Sequence, residues 1–156
     1  LKPAPLYKPK NAGLVTPCTY DNDIEKITEV DWILEAVVER LDIKEQVYNS
    51  LLPHLKDTAI LTSNTSGIPL SDLTDSLPDD VKKRFMITHF FNPPRYMQLL
   101  ELVRGEQTSD ETYNTMIEFG DSVLGKGIAH AKDTPNFIGN RIGVYRMMIT
   151  LNLALD

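Results

Sequence analysis

Apolar residues recur along this chain with two different periods, and the switches between them mark its elements. The first 22 residues have no period, because Pro3, Pro5, Pro9 and Pro17 interrupt it; they predict an irregular entry segment with at most one short strand, at Leu14–Thr16. DIEKI (Asp23–Ile27) reads as a short helix. DWILEAVV (Asp31–Val38) is a nearly continuous apolar run of strand length, the pattern of a buried parallel strand with Trp32 in the core. RLDIKEQVYNSLLPHL then places Leu41, Val47, Leu51 and Leu52 on one side of a helix that ends near Pro53, with His54 in its last turn.

Short apolar runs follow. AILTSNTS (Ala59–Ser66) passes from strand into a polar turn, SDLTDSL (Ser71–Leu77) suits a short helix, and RFMITHFFN (Arg84–Asn92) a third strand. This alternation predicts βαβ units. LLELVRG (Leu99–Gly105) reads as a fourth strand. Ser109 is placed to cap a helix whose apolar side carries Tyr113, Met116, Ile117, Phe119 and Val123. GIAHAKD (Gly127–Asp133) is a short strand that leaves His130 satisfied or exposed. From Pro135 a last helix is apolar on almost every side, through Phe137, Ile138, Ile142, Val144, Met147, Met148, Ile149, Leu151, Leu153 and Leu155. Such a helix belongs under cover on all sides, and the rest of the chain is too small to supply it. Something else is expected to pack there.

With 156 residues the chain amounts to one domain or less. Its net charge of −6, without a basic stripe, argues against a nucleic-acid partner. It has no apolar run of the roughly 20 residues that span a bilayer, and LKPAPLYKPK is not a signal peptide, so a cytoplasmic protein is expected. Cys18 is the single cysteine, which excludes an internal disulfide and a thiolate cage, and with no histidine close by in sequence it reads as structural. His54, His89 and His130 lack ligand spacing, so no metal site is expected. Asn64-Thr65-Ser66 matches a glycosylation sequon, which has little weight without a secretion signal. GKG at Gly125–Gly127 follows a helix instead of opening one, and His130 stands where a third glycine would complete G-x-G-x-x-G.

Ligands of open α/β sheets bind beyond the carboxyl ends of the strands. Polar groups stand at four such places: Glu39, Asn64-Thr65-Ser66, His89 with Asn92, and Asn140 near the start of the last helix. In HFFNPPRYMQLLELV, His89 leaves a buried strand before a fixed Asn-Pro-Pro turn, and Glu101 returns twelve residues later on the next strand. A carboxylate that fixes the tautomer of an imidazole and stabilises its charged form makes a proton acceptor. A purely structural His-Glu hydrogen bond fits the pattern equally well.

EAVVERLDIK, SNTSG, HFFNPPRYMQLLELVRG and KDTPNFIGNR, in this order and spacing, resemble the L-3-hydroxyacyl-CoA dehydrogenases of fatty-acid β-oxidation, over roughly residues 31 to 150. PPRY after HFFN is similar to the long-chain or fused-enzyme branch. The resemblance implies an enzyme that oxidises a 3-hydroxyacyl-CoA to the 3-ketoacyl-CoA with NAD. His89 would take the hydroxyl proton, Glu101 would orient it, and Ser66 and Asn140 would hydrogen-bond the reacting oxygen. Glu39 would lie near the nicotinamide-side ribose, Lys44 near the CoA portion, and Asn64 with Ser66 on the cofactor side.

Gly67, Arg40 and Asn136 depart from the serine, asparagine and glycine common in that family. The family's opening strand, G-x-G-x-x-G turn and first helix have no counterpart here. The expected fold is therefore α/β, a partial Rossmann-type doubly wound sheet lacking its first βαβ unit. Residues 1–133 would be the later part of the NAD-binding domain, and 134–156 the junction and first helix of a helical domain. That implies an incomplete NAD site, little activity alone, an acyl-CoA substrate and a homo-oligomer through the last helix. A non-catalytic relative of the same fold and a reductase of small 3-hydroxy acids are the competing readings.

Overall fold

The computed structural model describes residues 4–155; Leu1–Pro3 and Asp156, the ends of the expected entry segment and last helix, lie outside them. The entry segment forms a 3-10 turn at Pro9–Leu14, a one-turn helix α1 (Tyr20–Asp23) and a second 3-10 turn at Ile24–Glu29. No strand forms at Leu14–Thr16. The Val15 N–H turns back onto the Ala12 carbonyl, and Leu14 and Val15 are exposed, so neither ladder bonds nor burial favour one there.

Strand β1 (Trp32–Glu35) leads into α2 (Leu41–Leu51), β2 (Ile60–Ser63), α3 (Leu70–Thr74), α4 (Asp79–Lys82) and β3 (Phe85–Phe90). Then come β4 (Leu99–Arg104), α5 (Asp110–Glu118), β5 (Gly127–Ala131) and α6 (Gly139–Leu155). The strands form one sheet in the order β1-β2-β3-β4-β5. β1, β2 and β3 are parallel, β4 runs antiparallel to β3, and β5 is parallel to β4. This is a Rossmann-like α/β arrangement.

Strand alternation sorts the side chains. Leu61, Phe85, Ile87 and Val103 face α2, α3 and α4, with Tyr48, Leu51, Leu70, Leu73 and Val81 as partners. Met86, Leu100 and Leu102 face the other way, onto Met116 of α5. Each large apolar side chain removed from water in these layers contributes about 1.5–3 kcal/mol. Helix α5 starts as its sequence predicts, with the Ser109 hydroxyl accepting the Thr112 N–H at 3.1 Å. The π-helical turn that continues it, Phe119–Val123, shifts the phase of the side chains, and Val123 ends up exposed instead of on the apolar side.

Three more expectations are corrected. The run Asp31–Val38 stays a strand only to Glu35, whose carboxylate takes the Val37 N–H at 2.7 Å, and Val38 is exposed. Trp32 is only half-buried; its ring stands edge-on to Phe119 with centroids 5.4 Å apart, and its N–H reaches the Thr62 hydroxyl. The last helix begins at Gly139 instead of Pro135, because Asn136 and Phe137 take left-handed backbone, with φ of 62° and 48°. Along α6 no residue is buried, and its apolar side chains face outward as anticipated.

Candidate active site

Alternation brings the polar groups to one face. Ile33, Leu61, Ile87 and Val103 pack on the α2 side of the sheet, and stepping two residues along each strand reaches Glu35, Ser63, His89 and Glu101. Three of these sit at or one residue before the end of a parallel strand, where open α/β sheets bind ligands.

His89 and Glu101 lie directly opposite each other in the β3–β4 ladder, with Nδ1 2.7 Å from Oε2. Glu101 is fully buried, and its Oε1 accepts the backbone N–H groups of Ile138 at 2.9 Å and Gly139 at 2.6 Å. With both its oxygens occupied, the carboxylate holds Nδ1 in the donor role and leaves Nε2 as the acceptor. His89 is 3% exposed. Its Nε2 has no partner among the described residues, where no buried side-chain nitrogen or oxygen is left unbonded, so the remaining exposure reaches that nitrogen. The rings of Phe91 and Phe137 both pack against the imidazole, with centroids 4.5 and 5.6 Å away. Left-handed backbone at a bulky residue such as Phe137 costs on the order of 1–3 kcal/mol, which the surrounding contacts must offset.

Ser66 is fixed through its backbone. Glu39 Oε1 accepts from the Thr65 hydroxyl at 2.6 Å, from the Ser66 N–H at 2.8 Å and from the Gly67 N–H at 3.1 Å. The Asn140 amide donates to the Ser66 carbonyl at 3.2 Å. The Ser66 hydroxyl itself is exposed and unbonded among the described residues. Partial burial of Glu39 works to raise its pKa, but the Thr65 and Ser66 hydrogen bonds and the Lys44 charge together hold it below the ordinary value. Asn64 turns its carbonyl inward to the Phe90 N–H at 2.9 Å, tying the end of β2 to the end of β3.

Lys44 differs from its expected role. A contact with CoA needs a surface ammonium, yet Lys44 is 1% exposed and its Nζ binds both oxygens of Glu35, at 2.8 and 3.0 Å, with Glu39 at 3.4 Å. Glu35 also accepts the hydroxyls of Tyr48 at 2.9 Å and Ser63 at 2.6 Å. Burial foremost pushes the Tyr48 pKa up, so it stays a neutral donor to Glu35. Sequence reasoning passed over Glu35; its signal is a carboxylate in the middle of the apolar run WILEAVV, on the inward parity.

These contacts join the expected site residues. Glu35, Lys44, Glu39, the Ser66 loop, Asn140 and the start of α6 form one path, and Glu101 links that start to His89. The structure does not join His130 to it, since that ring pairs with the Tyr113 hydroxyl at 2.8 Å on the opposite layer. No helix of the described residues is long and apolar enough to cross a membrane.

The model for the family "3-hydroxyacyl-CoA dehydrogenase, NAD binding domain" matches residues 3–134. A probable 3-hydroxyacyl-CoA dehydrogenase of Bacillus subtilis is 46% identical over 154 residues, covering 99% of this chain and 20% of the relative. A putative fatty acid oxidation complex trifunctional enzyme of Rickettsia felis is 44% identical, covering 99% of this chain and 22% of its own. Among solved structures, M. tuberculosis FadB2 superposes with a TM-score of 0.78 at 29% identity, over 84% of this chain and 46% of that one. The chain thus spans about a fifth of the length of these two curated relatives.

Proposed function

The chain belongs to the 3-hydroxyacyl-CoA dehydrogenase NAD-binding domain family, and we propose that it supplies the proton-accepting half of the oxidation of a 3-hydroxyacyl-CoA to the 3-ketoacyl-CoA in fatty-acid β-oxidation. One observation carries the reading: Glu101 takes up Nδ1 of His89 while Nε2 stays open. As the substrate's C3–O–H bond system becomes a carbonyl, the hydroxyl proton passes to His89 Nε2. The imidazolium so formed keeps its Nδ1–H bond to the buried carboxylate, which stabilises the charge as it develops. Ser66 offers its unbonded hydroxyl to the reacting oxygen, and Asn140, which anchors the Ser66 carbonyl, stands beside it.

NAD, when bound, would supply the hydride acceptor for carbon 3. The donor set fits the nicotinamide end of that cofactor: a free hydroxyl at Ser66 and the Glu39 carboxylate lie beyond the ends of parallel strands. No G-x-G-x-x-G occurs in these 156 residues, so the backbone N–H cradle for a pyrophosphate is not among them. Asn64 and Lys44 then act from beneath, Asn64 by tying β2 to β3 and Lys44 by holding Glu39. The exposed apolar surface of α6 supports association through that helix.

The test is His89→Gln in the intact dehydrogenase that carries these residues. Turnover should fall by at least about a hundredfold, the scale of losing a general base. Near-normal turnover removes His89 from the mechanism.

A further inference from the structure

Between β5 and α6 the chain makes two successive left-handed steps, at Asn136 and Phe137. Such a step is uncommon for asparagine and rarer for phenylalanine, and backbone of this kind persists where its surroundings over-determine it. Here the surroundings include the α2-side core, of which Phe137 is a member, and both members of the proton-transfer pair. The Phe137 ring is 2% exposed and meets the His89 imidazole edge-on, with centroids 5.6 Å apart and planes at 61°. The next two backbone N–H groups, Ile138 and Gly139, grip the Glu101 oxygen that His89 leaves free. The Phe91 ring also packs against the imidazole, with centroids 4.5 Å apart.

An imidazole bonded only at Nδ1 can still swing about that hydrogen bond, and the swing would carry Nε2 away from a substrate hydroxyl. Two aromatic walls block it. Residues 136–139 thus act on both partners at once, one by contact with the ring and the other by hydrogen bonds to the carboxylate.

We propose that Phe137 is a positioning residue for His89: its left-handed backbone drives the ring against the imidazole and, with Phe91, holds Nε2 on its line to the substrate. This rests on the reading of His89 as proton acceptor, and its principal readout does not need turnover. In this chain, the His89 Nδ1 proton, shared with a fully buried carboxylate, should give one slowly exchanging downfield resonance in proton NMR. Phe137→Leu keeps an apolar side chain and removes the planar wall, so that resonance should broaden or vanish while the amide spectrum keeps its native dispersion. In the intact dehydrogenase the same substitution should lower kcat by about tenfold or more, as expected for a misplaced catalytic group, with KM within about twofold.

An Nδ1 resonance of unchanged position and width in a natively dispersed Phe137→Leu spectrum overturns the proposal. Should that variant not fold, the unaltered chain decides: nuclear Overhauser contacts from the Phe137 ring to the His89 ring protons support it, and their absence overturns it. Full turnover in His89→Gln would instead sink the parent reading, whatever the resonance does.

Discussion

Glu101 Oε1 lies 2.6 Å from the Gly139 N–H, so the carboxylate that orients the imidazole also closes the start of the last helix. One buried group thereby ties the β3–β4 ladder to α6. The charge is placed where the N–H groups of a helix start point, which favours an anion. A consequence is that the backbone at the start of α6 reaches the proton-transfer pair.

Gly139→Ala tests that closeness. A Cβ at Gly139 would lie 2.6 Å from Cζ and 3.0 Å from Cε1 of Phe91. The ring must move, and it is one wall of the His89 imidazole. We expect a loss of about 1–3 kcal/mol in urea unfolding, the usual cost of overpacking, together with reduced turnover in the intact dehydrogenase. An alanine variant as stable as the unaltered chain would show that Phe91 gives way freely.

Glu39 provides a pH prediction. Its pKa is lowered in the folded chain from the ordinary value of 4.5, since the Thr65, Ser66 and Lys44 contacts outweigh burial. A carboxyl with a depressed folded pKa contributes stability above its unfolded value and loses it as pH falls through the folded one. The Ser66 and Gly67 amide resonances should therefore titrate with a midpoint below 4.5, and Glu39→Gln should abolish the titration. A midpoint at or above the ordinary value would mean that the carboxylate does not hold the Ser66 loop.

Gly67 and Asn136 are neighbours in the fold. A Cβ at Gly67 would stand 3.1 Å from Asn136 Oδ1, tighter than ordinary contact. Gly67→Ser alone should therefore destabilise. Asn136→Gly alone should be neutral or stabilising, because glycine adopts the φ of 62° without strain. Together, the double variant should recover most of the loss, with a coupling of about 0.5–3 kcal/mol in a thermal-denaturation cycle. Simple additivity would show that the two positions are independent.

Helix α6 exposes Met147 at 56%, Leu151 at 52% and Leu155 at 85%. Sedimentation should show concentration-dependent self-association of this chain, and Met147→Lys with Leu151→Lys should shift it towards monomer. A monomer at all concentrations would leave the helix to a partner of another kind.

Much of the site could be read from the sequence because its rule is local. Side chains two apart on a strand share a face, so the odd-numbered residues of RFMITHF and LLELV send His89 and Glu101 to the same side of the sheet, and an antiparallel return sets them opposite. The parallel strands, the Ser109 cap and the uncovered last helix follow from patterns equally short in range.

What only the tertiary structure decided depends on groups far apart in sequence. Glu35 gathers donors 9, 13 and 28 residues away, which is why Lys44 faces inward while its sequence permits a surface position. The Phe137 ring packs against His89 and the next N–H bonds Glu101, 48 and 37 residues distant (137 minus 89, and 138 minus 101), so the left-handed steps before α6 sit among groups far away in sequence. Periodicity fixes which face a side chain takes; which partner it meets there depends on how separate elements close on one another, and burial then requires every polar group caught between them to find its bond.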